Sequence, residues 1–178
     1  MKKNTKIALC GITASLSVVL MLFSYFPYLT YAIPALTGLI IMIPVVETGK
    51  KWAFGAYLSA AVLIFIFGEP ESKILYISFF GYYPILKSVI EKIRKPVIEW
   101  LLKLVVFNAA AVVSYLILSF VFDISFDDFG RLGQYGAYIF LAAANMVFVI
   151  YDIGVSRVAG LYMYRLHSKI KKLLERGS

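Results

Sequence analysis

Charge is scarce in this chain. Only 16% of its 178 residues are Asp, Glu, Lys or Arg, against about 25% in an ordinary soluble domain. Cysteine is almost missing: Cys10 stands alone inside an apolar run, so an intrachain disulfide is impossible and a thiolate zinc site lacks ligands. Histidine is equally rare. His167 has no second His nearby and reads as a solvated tail residue rather than a metal ligand. Acidic groups are absent from the middle of every apolar run but one. Asp152 therefore has no partner for two-carboxylate hydrolysis within a membrane. Gly49-Lys50-Lys51 lacks the preceding glycine spacing of a phosphate-binding loop. These absences argue against an enzyme, a cofactor and a metal centre. No basic–aromatic RNA motif appears either, so the net charge of +8 is assigned to an anionic membrane face and not to nucleic acid.

What the chain has is apolar length: 61% of it is hydrophobic. A spanning helix needs about 20 apolar residues. Six runs approach this, at 7–26, 31–46, 52–67, 74–90, 97–122 and 135–164. The expected fold is all-α: one integral membrane domain over 1–178, a polytopic bundle of six transmembrane helices. The second and third runs are short, and Pro34 and Pro44 weaken the second, so a tilted or re-entrant pair is the alternative there. The N-terminus resembles the start of a signal peptide. Its apolar run is too long and ends in bulky residues, so it reads as a retained first helix.

The connections carry unequal charge. Lys2, Lys3 and Lys6 precede the first run. Lys50 and Lys51 follow the second; Lys87, Lys92, Arg94 and Lys95 follow the fourth; Arg165, Lys169, Lys171, Lys172 and Arg176 follow the sixth. The alternate connections hold only Lys73 and Arg131, beside Glu69, Glu71, Asp123, Asp127 and Asp128. The positive-inside rule then puts both termini in the cytoplasm of a multi-pass cell-membrane protein. In the tail, Leu166, Ile170, Leu173 and Leu174 share one helical face opposite the basic residues, which suits an anchor on anionic lipid.

Polar residues inside the runs are the informative ones, because they are costly in lipid. Asn108, Tyr115 and Ser119 stripe the fifth run; Tyr138, Asn145 and Asp152 stripe the sixth. Alanines beside both asparagines suit a tight pair of helices with an Asn bonding across. Such stripes either hold the helices together or line an outward-opening pocket. Asp152 needs a partner. Lys103 reaches it if the two helices pack, whereas Arg157 lies about 140° away around the same helix. Glu99 and Lys103 have the favourable i,i+4 order for a structural pair. Phe79 to Pro84, with Gly81 inside, predicts a kink. Tyr25, Tyr28, Tyr31, Tyr76, Tyr135 and Tyr138 suit an interfacial aromatic belt.

The segment Lys6-Ile7-Ala8-Leu9-Cys10-Gly11-Ile12-Thr13-Ala14-Ser15-Leu16 resembles the first helix of the substrate-binding S components of energy-coupling factor (ECF) transporters. Size, span number and short loops are similar too. The resemblance implies a substrate-capture subunit that takes a vitamin-like small molecule from outside. Transport then depends on a separate transmembrane coupling protein and ATPase subunits. It places the docking face at Cys10, Gly11, Ala14 and Ser15. It places the ligand near Asn108, Tyr115, Tyr138 and Asn145, with Arg131 and Gln134 at the mouth. The rival expectation is a non-enzymatic membrane scaffold, a cell-envelope assembly factor resembling the cell-shape protein MreD. It would have a filled bundle and partner contacts through the tail and the Lys87–Lys95 turn.

Overall fold

The computed structural model describes residues 2–122, 136–167 and 170. The outer loop with Arg131 and Gln134 lies outside them, as do the side chain of Tyr138 and most of the tail face. Every regular element among the described residues is helical. The long helices are α1 (Lys3–Leu22), α2 (Ala32–Glu47), α3 (Lys50–Phe67), α6 (Pro96–Phe122) and α7 (Gly136–Arg165). Two short ones, α4 (Pro70–Leu75) and α5 (Tyr83–Ile90), occupy the fourth apolar run. Four stretches are long and apolar enough to cross a membrane: Lys3–Tyr25, Lys50–Phe67, Pro96–Val121 and Ile139–Arg165. At 16 residues α2 falls short of that length, and the fourth run is broken.

The break follows from the local sequence. Glu69 caps α4, its carboxylate accepting from the Glu71 and Ser72 backbone N–H groups, and Pro70 occupies the first turn, where its missing donor costs nothing. The helix then widens into a π-helical turn over Tyr76–Phe80, closed by the Gly81 N–H donating to the Tyr76 carbonyl. One carbonyl of this turn, that of Ile77, accepts from the Tyr57 hydroxyl of α3 at 2.7 Å. Gly81 is required because a Cβ there would lie 2.7 Å from the Tyr57 ring. Pro84 then opens α5. The break at Gly81 and Tyr82 falls within residues 79–84, where a kink is predicted, whereas the π-helical turn starts earlier, at Tyr76.

Two cores hold the helices. In the first, small residues bring backbones together. Thr13, Ala14, Ser17 and Met21 of α1 form one buried stripe, and Ala53, Ala56, Tyr57, Ala60, Ala61 and Ile64 of α3 form another. The Thr13 and Ser17 hydroxyls donate to carbonyls of their own helix, so neither of these two is stranded. Gly38 of α2 lets the backbone carbonyl of Phe80 and the Tyr151 hydroxyl approach: a Cβ would meet them at 2.4 and 2.8 Å. The second core is aromatic. Phe79 and Tyr83 pack against Phe148, whose ring stacks on Phe107 with centroids 4.5 Å apart. Tyr76, read as part of an interfacial belt, is instead fully buried in the first core.

The outer faces invert the pattern of a soluble protein. Large apolar side chains such as Val105, Phe120, Val147 and Ile150 are exposed, while Lys87, Lys103 and Asp152 are buried. That distribution suits a lipid surround.

Candidate polar site among the last three helices

Tyr83, Lys87 and Glu91 follow one another at intervals of four, so they share one face of α5 and the turn after it. That face meets Lys103 of α6 and Asp152 of α7. Asp152 Oδ1 accepts from the Tyr83 hydroxyl at 2.5 Å and from Lys87 Nζ; its Oδ2 accepts from Lys103 Nζ at 3.0 Å. Lys87 and Lys103 also reach Glu91 Oε1, at 2.7 and 2.9 Å. Lys103 Nζ further sits 5.2 Å from the centre of the Trp100 ring.

Burial grades along this network. Asp152, Lys87 and Lys103 are 3%, 4% and 4% exposed, whereas the Glu91 side chain is 43% exposed. Two ammonium groups face two carboxylates, so the cluster is neutral as a whole. Neutrality matters because an unmatched charge in such a place costs several kcal/mol. At Glu91 burial alone would raise the carboxyl pKa. Hydrogen bonds and charge from Lys87 and Lys103 outweigh it and hold Glu91 below the ordinary carboxylate range. The network therefore ties three helices at one node. A ligand reaching Asp152 would have to displace Tyr83 or a lysine.

A second polar contact lies on the same two long helices. Asn108 and Asn145 exchange reciprocal amide hydrogen bonds, both 3.0 Å. Each amide nitrogen also donates to the carbonyl four residues earlier in its own helix, Leu104 and Leu141, at 2.8 Å. Both amides thus meet across the α6–α7 contact and are half-buried. Tyr115 lies two turns along α6 and is 51% exposed.

The remaining sequence-selected residues separate. On α1, Ala14 is buried in the first core and the Cys10 thiol donates to the Trp52 carbonyl, while Gly11 and Ser15 are exposed. Arg157 is exposed on α7 and takes no part in the network. Lys103 turns to Glu91 and Asp152 rather than to Glu99. Lys87, read as part of a cytoplasmic basic turn, is buried. The four-residue spacing of Tyr83, Lys87 and Glu91 was the available signal for it. His167 is not a free tail residue: its Nδ1 lies 2.8 Å from Glu47 Oε1, which also accepts from the Tyr162 hydroxyl at 2.7 Å. No local spacing announces a partner 120 residues away.

No family model matches the chain, and neither a curated protein nor a solved structure matches it.

Proposed function

We propose that this chain is a multi-pass cell-membrane protein of six spans, with both termini in the cytoplasm, and that it serves as the substrate-capture subunit of an ECF-type importer. The six spans are α1, α2, α3, the broken α4–α5 segment, α6 and α7. The basic connections then lie on one side and the acidic ones on the other. The observation that carries the capture reading is the placement of the polar residues on α6 and α7. Asn108 and Asn145 meet at one level, and Asp152 is fixed further along α7, on helices whose outward faces are apolar. On this reading the Asn pair forms the floor of a site that opens outward along α6 past Tyr115; the other expected ligand contacts, Tyr138, Arg131 and Gln134, lie outside the described side chains. A vitamin-like molecule entering there exchanges one amide bond for its own. The charge network below keeps α5, α6 and α7 in place while that exchange occurs. Transport then needs the coupling protein and ATPase subunits.

The exposed Gly11 and Ser15 on α1 supply a flat docking patch. A Cβ at Gly11 would meet nothing within 4 Å, so another helix has room to approach. The scaffold reading has one observation in its favour: Asn108 and Asn145 already satisfy each other. Affinity purification from the native membrane separates the two. The capture reading expects a transmembrane coupling protein and ATPases to co-purify. Gly11→Leu with Ser15→Leu is expected to reduce that recovery by about tenfold, the loss that about 1.4 kcal/mol of packing gives. Recovery of envelope-synthesis proteins without an ATPase, or recovery unaffected by the double substitution, would favour the scaffold.

A further inference from the structure

A groove of about 520 Å³ runs along the contact between α2 and α7. Met42 and Tyr162 form its buried floor, and Ile43, Leu161 and Leu166 are among its walls. One charged residue lines it, Arg165, at the end of α7. Arg165 makes no ion pair among the described residues. The carboxylate nearest in chain terms to the groove, Glu47 at the end of α2, is occupied by the Tyr162 hydroxyl and His167. The groove therefore combines an apolar slot with one guanidinium at its end that no carboxylate among the described residues neutralises.

That combination selects its occupant by chemistry. A guanidinium presents a planar fork of donors that matches phosphate oxygens. An apolar slot on the outside of a membrane bundle takes a hydrocarbon chain. We propose that the α2–α7 groove binds an anionic phospholipid, with an acyl chain along Met42 and Leu161 and the headgroup phosphate on Arg165. A neutral-headgroup lipid fills the slot equally well but gains less at the guanidinium. On the orientation given above, Arg165 lies at the inner leaflet, where anionic lipids concentrate. This inference rests on the membrane reading but not on the importer reading.

The test uses the full chain in nanodiscs of equal phosphatidylglycerol and phosphatidylcholine. Lipid retained after gentle delipidation is counted by native mass spectrometry. Wild type is expected to retain phosphatidylglycerol about fivefold over phosphatidylcholine, the order of one basic residue at a membrane surface. Arg165→Gln is expected to bring that ratio near one. Leu161→Trp, which fills the slot and keeps the charge, should lower retention of both lipids. No headgroup preference in wild type, or a preference that survives Arg165→Gln, overturns the proposal. So does displacement by millimolar inorganic phosphate, or cross-linking of Leu161 to a second copy. A chain recovered outside the membrane fraction would instead overturn the membrane reading itself.

Discussion

Asp152→Asn is expected to destabilise the protein by about 3–5 kcal/mol, the cost of removing one partner from a buried ion pair. Asparagine keeps the shape but removes the charge on which Lys87 and Lys103 converge. Both ammonium groups then depend on Glu91, whose side chain is half open to its surroundings. A second substitution sharpens the expectation. Adding Lys103→Met to Asp152→Asn leaves one lysine and one carboxylate, so neutrality returns and part of the stability should come back. Thermal and denaturant unfolding of the three proteins in one detergent checks this. A loss below about 0.5 kcal/mol for Asp152→Asn, the scale of an ordinary surface change, would mean that the network contributes little. A double variant weaker than the single one would contradict the charge-balance argument.

Gly38→Ala carries the second large effect. Its Cβ would lie 2.4 Å from the backbone oxygen of Phe80 and 2.8 Å from the Tyr151 hydroxyl. A backbone atom cannot swing aside as a flexible side chain does, so α2 and the π-helical turn must separate. Overpacking of this kind costs about 1–3 kcal/mol and sometimes more. Alanine's better helix propensity returns only about 1 kcal/mol. Gly11→Ala and Gly160→Ala are the controls, because a Cβ at either position meets nothing within 4 Å. They should be neutral or slightly stabilising in the same melting assay. Equal behaviour of all three alanines would show that α2 does not lie against Phe80 as described.

Much of the helix pattern was legible from composition, because apolar runs and short polar connections set where helices start and stop. The six runs coincide with α1, α2, α3, α4–α5, α6 and α7 to within a few residues. The kink near Gly81 was legible for a local reason, a proline and a glycine in one turn. The Asn108–Asn145 contact was legible because each asparagine sits beside alanines at a similar depth. The pairing of Lys103 with Asp152 was legible only as a condition on how α6 and α7 pack. Lys87 was hidden by its surroundings: a few residues before Glu91, Lys92, Arg94 and Lys95, it reads as one more surface charge, and only its spacing from Tyr83 and Glu91 pointed inward. Its burial depends on α5 ending beside α6 and α7, which is tertiary information. Glu47 with His167 was hidden for the same reason, and so was Tyr76, whose place in the core depends on the π-helical turn. Glu99 with Lys103 shows the converse. The spacing favours a local pair, yet Lys103 gains two carboxylates by turning inward.

The capture reading stands on what Asn108 and Asn145 do. The chain should be purified from its own membranes and its retained small molecules identified by mass spectrometry, beside the Asn108→Leu and Asn145→Leu double variant. Losing the reciprocal amide bonds should cost about 0.6 kcal/mol each and at most about 1.7, so the variant is expected to stay inserted and folded. The account predicts a vitamin-sized compound in near-stoichiometric amount with wild type and its absence from the folded variant. A folded wild type that retains no small molecule, or a variant that retains the same one equally well, would contradict it.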